Sequence, residues 1–140
     1  MLTRATYKNM WSLFLINKIK MGGKVIFMKK IDTLKKNYEF KNVLNKGKFY
    51  KGKYVTIYIQ KNNKEKNIIG IAVSKKIAKA NKRNRLKRLI RESYRLQKEN
   101  LLKGFNIVFI WNKGTQIKDV NYSVVSEDII SLLKRARMFK

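Results

Sequence analysis

The stretch SKKIAKANKRNRLKRLIRESYR, residues 74–95, carries ten lysine or arginine residues and a single acid, Glu92. A block of like charge this dense is typical of disordered segments, because the charges repel and little apolar surface is left to bury. Leu86, Leu89, Ile90 and Ser93 nevertheless fall on one arc of a helical wheel, and Gln97, just beyond the stretch, falls on the same arc. Most of the cations fall on the opposite side. The stretch therefore predicts a helix with one packed face and one continuous cationic face.

Strands are predicted on both sides of this helix. Residues 53–60 (KYVTIYIQ) and 68–74 (IIGIAVS) alternate between two faces, as half-buried strands do. Residues 105–111 (FNIVFIW) are apolar along their length, which is typical of a central strand. The helix between them is predicted from about Asn81 to Leu102, and Lys103 and Gly104 form its stop signal.

Two further helices complete the prediction. The first covers residues 34–46, with Asp32 and Thr33 as candidate caps and a break at Gly47. The last runs from about residue 122 to residue 136, and its predicted inner face consists of Val125, Ile129, Leu132 and Leu133. The element order is then αββαβα in an α/β fold, an α+β sandwich in which helices cover one layer of sheet.

The composition of the chain favours some classes of function and argues against others. A chain of 140 residues predicts one domain with one modest core, and its net charge of +27 favours a polyanionic partner, with nucleic acid ahead of an anionic membrane surface. The sequence contains no Cys and no His, so neither a thiolate metal site nor a histidine base is available. The eight acids are scattered, and the nearest to a cluster, Asp119, Glu127 and Asp128, are interpreted as helix caps. We therefore expect the protein itself to bind no metal and to supply no catalytic group.

Residues 1–27 differ in character from the rest. They hold five basic residues, no acid and a short apolar run that cannot span a bilayer. MKKIDTLKKNYEF, from Met28, has the character of a natural start. We expect residues 1–27 to be a disordered extension or a start-site artefact, and residues 28–140 to form a single nucleic-acid-binding domain.

Two surfaces are candidates for binding nucleic acid. The first is the basic helix with the lysines ahead of it; the alternatives are a solvated helix face and a nuclear-localisation signal. The second is a strand face, where two tyrosines lie beside small residues: Tyr54, Thr56, Tyr58, Gly70, Ala72 and Ser74. Unpaired bases stack on such aromatic rings. The alternative is that these tyrosines pack under a helix.

Four segments carry a resemblance to a known family: LKKNYEFKNVLNKGK (34–48), GIAVSKKIAKANKRNRLKRLIRES (70–93), IVFIWNKG (107–114) and ISLLKRA (130–136). In order and spacing they resemble the protein subunit of bacterial ribonuclease P. The resemblance implies a left-handed βαβ crossover, whereas sequence rules alone predict a right-handed one. It also implies that the partner is a large catalytic RNA, which removes the 5′ leader of precursor tRNA with Mg²⁺ held by the RNA.

The resemblance also assigns residues to the two surfaces. In the RNA-facing loop and helix it places Lys75, Lys76, Arg83, Asn84, Arg85, Lys87, Arg88 and Arg91. The charge pattern adds Lys79, Lys82 and Arg95 to that set. In a cleft for the leader the resemblance places Lys36, Phe40, Leu44 and Tyr58, and strand alternation adds Tyr54 and Thr56.

The prediction is thus a non-catalytic protein component of ribonuclease P. It is expected to be cytoplasmic, to bind the catalytic RNA and precursor tRNA with one protein per RNA, and to have no membrane partner. The alternatives are a ribosomal or general structural RNA-binding protein without a role in cleavage and, less well matched by the strands, a membrane-surface protein.

Overall fold

The computed structural model describes residues 31–115, 117, 118 and 120–140. The prediction for residues 1–27 and the predicted cap at Asp119 lie outside these residues. Within them the elements are β1 (Asp32–Thr33), α1 (Asn37–Lys46), β2 (Lys48–Lys51), β3 (Val55–Lys61), β4 (Ile68–Ala72), α2 (Ala80–Gln97), a 3-10 turn (Lys98–Asn100), β5 (Phe105–Trp111) and α3 (Tyr122–Arg135).

The five strands form one mixed sheet in the order β1-β4-β5-β3-β2. The apolar strand β5 lies at its centre, as its sequence predicts. It runs parallel to β4 and antiparallel to β3. Helix α2 joins β4 to β5 and so forms the crossover of a βαβ unit; its left-handed sense stays a prediction. The predicted class, a sheet covered by helices, is confirmed.

Two short strands are absent from the predicted order. Asp32 and Thr33 are not helix caps; they pair with Ile68 and Ile69 as strand β1, and the N-cap of α1 is Lys36. Residues 48–51 form the edge strand β2, which pairs with β3. Segments of two and four residues are too short to show alternation, so only the presence of a neighbouring strand defines them.

The basic helix is also shorter than predicted. It ends at Gln97 and continues as a 3-10 turn, after which Leu101 makes an isolated bridge with Phe139 near the carboxyl end of the chain. Leu101 is fully buried. The chain thus leaves the helix before the predicted stop at residues 103 and 104 and packs Leu101 into the core.

The core lies between one face of the sheet and the helices α2 and α3. On α2, the predicted arc is confirmed, since Leu86, Ile90 and Ser93 are buried and the other two members are half-buried. On α3, all four residues of the predicted inner face are buried. Each buried aliphatic side chain contributes about 1.5–3 kcal/mol. These contacts fix the orientation of α2 and so also the direction in which its cations point.

Tyr94 of α2 was not predicted in the core, yet it is fully buried with its ring 5.9 Å from that of Phe109. Burial raises the pKa of Tyr94 to about 12, whereas an exposed phenol titrates near about 10. The unfolded chain therefore loses this proton at a lower pH than the folded one.

We expect this difference to appear in the pH dependence of stability. The stabilisation from the neutral phenol is complete below about pH 9, and about 2–3 kcal/mol is lost as the pH rises from 10 to 12. Tyr94→Phe should remove that part of the decline. The measurement is urea unfolding at several pH values, and parallel curves for wild type and variant would contradict the expectation.

Candidate nucleic-acid interface

The loop before α2 holds two lysines away from the protein. Its turn begins at Ser74, whose side-chain oxygen accepts a hydrogen bond from the Lys76 amide at 3.2 Å and whose carbonyl accepts one from the Ile77 amide at 3.0 Å. Ile77 packs against the core. The turn and this contact leave Lys75 and Lys76 exposed to solvent.

The amino terminus of α2 is unusually positive. Its N-cap residue, Lys79, makes no side-chain capping hydrogen bond, and the first turn contains no acid. Both Lys79 and Lys82 are exposed. Cations here oppose the helix dipole and cost stability, whereas the free N–H groups of a helix start attract phosphate. This end of the helix is therefore suited to an anionic partner.

The exposed side of α2 continues this surface. Asn84, Arg85 and Arg88 are exposed, while Lys87 and Arg91 are half-buried on its borders. We call the following residues the cationic face: Lys75, Lys76, Lys79, Lys82, Asn84, Arg85, Lys87, Arg88 and Arg91. Arginine holds phosphate oxygens with a planar, two-pronged group, so a fixed spacing of arginines favours a partner of defined shape.

Two arginines of the predicted set also hold protein groups. The Nη1 of Arg83 donates to the Ala78 carbonyl at 2.9 Å, which braces the loop before the helix. The Nη2 of Arg85 donates to the Val120 carbonyl at 2.7 Å, which ties α2 to the segment before α3. A guanidinium has five N–H donors, so each retains donors for a ligand.

Arg95 differs from the others because its charge is paired within the protein, and its contact with RNA stays a prediction. Its side chain is only 18% exposed, and its Nη1 lies 2.7 Å from Oε1 of Glu92. The i, i+4 spacing of Arg88 and Glu92 would also allow a pair between those two residues. Side chains on a helix lean toward its amino terminus, so Arg95 leans back over Glu92 while Arg88 leans away from it.

The opposite face of the sheet is covered by α1. Gly70 of β4 allows Phe40 to lie directly on the sheet, since a Cβ atom there would stand 2.7 Å from Cε2 of Phe40. Val43 of α1 and Val108 of β5 are fully buried beneath the helix. Phe40 is itself half-buried, so part of the residue remains accessible to solvent.

Beside α1, aromatic side chains line the same face. Tyr58 pairs with Val108 across the sheet, and its ring lies 5.9 Å from that of Phe49, which is 65% exposed. We call Phe40, Phe49 and Tyr58 the aromatic face. The sequence reasoning missed Phe49 because strand β2 was not predicted; the two adjacent aromatic residues of KFYK, residues 48–51, are its only local signal.

The remaining residues of the predicted cleft lie around this face. Lys36 is at the start of α1, with its Nζ 5.6 Å from the centre of the exposed Tyr38 ring, and Leu44 is half-buried on the helix. Thr56 lies on the same face of β3 as Tyr58, where its hydroxyl donates to the side chain of Asn112. These positions agree with one common surface, and the role of that surface in holding a leader stays a prediction.

Tyr54 does not belong to this surface. Its ring packs 5.8 Å from that of Trp111, which is buried in the core on the other side of the sheet. The prediction that Tyr54 faces the cleft is therefore wrong. Strand β3 begins at Val55, so the alternation does not extend back to residue 54.

The acid at position 128 is not a cap of its own helix. Its carboxylate accepts hydrogen bonds from three consecutive amides, those of Lys53, Tyr54 and Val55, at 2.8–3.0 Å. The helix cap is Asn121, whose side chain accepts from the Val124 amide at 3.1 Å. Asp128 thus ties α3 to the turn before β3.

The described residues offer neither a metal site nor a membrane-spanning helix. No group of three or more His, Cys, Asp or Glu side chains there could hold a metal ion. No helix among the same residues is long and apolar enough to cross a membrane.

Comparison with known proteins identifies relatives of this chain. Residues 28–137 match the family model described as Ribonuclease P. The ribonuclease P protein component of Clostridium botulinum (strain Langeland) is 41% identical over 111 residues, which cover 79% of this chain and 98% of that protein. That of Clostridioides difficile is 43% identical over 103 residues, covering 73% and 89%.

Solved structures agree with the sequence matches. The ribonuclease P protein of Thermotoga maritima superposes with a TM-score of 0.68 at 34% identity, covering 74% of this chain and 96% of that one. The Staphylococcus aureus protein gives a TM-score of 0.70 at 29% identity, covering 79% and 100%. The resemblance drawn from the four sequence segments is confirmed, and these relatives favour a ribonuclease P component over a ribosomal or general structural RNA-binding protein. The chain belongs to the ribonuclease P protein family.

Proposed function

We propose that the cationic face binds the catalytic RNA of ribonuclease P and that the aromatic face holds the 5′ leader of precursor tRNA. The observation that carries the proposal is the separation of two unlike surfaces by one sheet. The cations lie on a helix anchored to one side, and the accessible aromatic rings lie on the other side beside α1. A single-stranded leader stacks on aromatic rings, whereas a folded RNA presents phosphates at defined spacing.

The proposed division of labour follows from the chemistry of the side chains. Lys and Arg neutralise phosphates and position RNA, while hydrolysis and the Mg²⁺ that supports it are assigned to the RNA subunit. The protein is proposed to act in the cytoplasm, with one copy per RNA and no membrane partner. Its contribution is to bring the precursor to the RNA and to favour it over mature tRNA.

Reconstitution with a ribonuclease P RNA tests the proposal. Adding the protein should lower the Mg²⁺ concentration needed for cleavage and should tighten binding of precursor relative to mature tRNA. A protein that binds the RNA but changes neither quantity would fit a general structural RNA-binding protein and would overturn the proposal.

A single arginine provides a quantitative test of the cationic face. Arg88→Ala removes one exposed guanidinium and should make the slope of log affinity against log salt shallower by roughly one unit, because one fewer counterion is released. The measurement is binding to ribonuclease P RNA at several salt concentrations.

Lys64→Ala is the matched control for that experiment. Lys64 is exposed in the turn between β3 and β4, at the opposite end of β4 from the start of α2. Its removal should leave the slope unchanged. A slope that is the same in Arg88→Ala and wild type would show that the side chain does not meet a phosphate.

A further inference from the structure

A pocket lined by none of the residues of the cationic or aromatic face lies where the end of β3 meets the chain that follows α3. Its volume is about 350 Å³, and it is lined by Lys46, Lys48, Tyr50, Ile59, Gln60, Lys61, Phe105, Ala136, Arg137 and Met138. We call it the edge pocket.

The edge pocket is at the other end of the sheet from the start of α2. Lys61 pairs with Phe105 at the pocket end of the β3–β5 ladder, whereas Thr56 pairs with Ile110 near the end at which β4 leads into α2. Five residues of strand separate these two positions, or roughly 16 Å at the rise of a β-strand. A ligand in the pocket is therefore distinct from a phosphate at the start of α2.

The lining of the edge pocket combines positive charge with aromatic surface. Four exposed cations border it: Lys46, Lys48, Lys61 and Arg137. Tyr50 and Phe105 are half-buried and contribute ring surface. None of the lining residues, all within the described part of the chain, is acidic. Cations beside aromatic rings suit a ligand with a phosphate and a flat base.

The backbone at Arg137 fixes the place of one of these cations. This residue has φ of 55°, in the left-handed region that glycine adopts most readily. It directly follows the helix end, where the Met138 amide donates to the Leu133 carbonyl and the Arg137 amide to the Lys134 carbonyl, both at 3.0 Å. That hydrogen-bond pattern usually places glycine at this position. These hydrogen bonds hold the backbone of Arg137, so its side chain leaves the helix end at a fixed position on the rim of the pocket.

We propose that the edge pocket binds one nucleotide of single-stranded RNA, with the base against Tyr50 and Phe105 and the phosphate between the lysines and Arg137. The inference rests on the proposed function as an RNA-binding protein and adds a contact outside the cationic and aromatic faces. A volume of about 350 Å³ is in the range of small-ligand pockets and accommodates a single nucleotide.

Uridine 5′-monophosphate and inorganic phosphate are the probes, titrated into the isotope-labelled full chain while backbone amide resonances are followed by NMR. We expect saturable shifts at Tyr50, Lys61, Phe105 and Arg137 with the nucleotide. Phosphate alone should shift the same amides with at least about fivefold weaker affinity, because it lacks the stacking base. Equal affinities would identify a simple anion site and overturn the nucleotide assignment, as would the absence of saturable shifts.

Arg137→Gly separates binding from folding. Glycine relieves the strained backbone, so the melting temperature should be no lower than that of the wild type, while nucleotide affinity should fall at least about threefold with the loss of one cation. Lys64→Gln and Lys103→Gln each remove an exposed cation outside the pocket and should leave the affinity unchanged. Undiminished binding in Arg137→Gly, or an equal loss in the two controls, would contradict the proposal.

Failure of the edge-pocket proposal can be distinguished from failure of the proposed function. Stimulation of cleavage at low Mg²⁺ together with no nucleotide shifts would contradict only the edge pocket. Nucleotide shifts in a protein that gives no stimulation would contradict only the role in cleavage.

Discussion

Asp128→Ala is expected to lower the free energy of unfolding by about 3–4 kcal/mol, because three amide hydrogen bonds to one carboxylate are lost together. The amides of Tyr54 and Val55 are partly buried and would be left without this acceptor. The loss should exceed that of an ordinary surface substitution, which stays within about 0.5 kcal/mol.

Urea unfolding followed by circular dichroism measures this effect, and two variants sharpen it. Glu127→Ala removes the exposed neighbouring acid and should have little effect. Asp128→Asn keeps one acceptor oxygen and should give an intermediate loss. A similar small change in all three variants would show that the carboxylate does not hold the turn.

The turn that Asp128 holds is shaped for that contact. A Cβ atom at Gly52 would stand 2.6–2.7 Å from the two carboxylate oxygens, so only glycine allows this approach. The Gly52 carbonyl also accepts from the Asn112 side chain at 2.8 Å. Because this turn connects β2 to β3, loss of Asp128 should also disturb the pair formed by Phe49 and Tyr58.

Gly70→Val is expected to lower stability by about 2 kcal/mol and to weaken the preference for leader-bearing substrates by about tenfold. The valine side chain would occupy the position of the Phe40 ring, where even a Cβ atom is 2.7 Å from Cε2. Overpacking of this size typically costs about 1–3 kcal/mol. Displacing Phe40 would also shift α1 away from the sheet and change the aromatic face.

The measurement compares binding of precursor and mature tRNA to the reconstituted complex. Gly70→Val should reduce precursor binding while leaving mature tRNA affinity near its wild-type value. Phe40→Ala, which deletes the ring instead of moving it, should give a loss of the same kind. An equal loss for both tRNAs, in either variant, would argue against a role of this face in holding the leader.

Local periodicity accounts for most of the successful predictions. The alternation in β3 and β4, the apolar run of β5 and the buried arcs of α2 and α3 each depend on which residues repeat within one element. The same periodicity divides the basic stretch at residues 74–95 into an anchored side and a charged side. The sequence thus determined that this protein would have a helix that presents cations at fixed spacing.

Contacts between distant parts of the chain account for the features that the sequence did not predict. Strands β1 and β2 exist because a neighbouring strand pairs with them, and Asp128 meets amides 73–75 residues away in sequence. Tyr54 was misplaced because its direction depends on where strand β3 begins, and the pairing of Arg95 with Glu92 depends on which way a side chain leans. The edge pocket joins α1, the sheet and the end of the chain. Only tertiary packing decides such features, since the free energy that fixes them comes from partners that no local pattern contains.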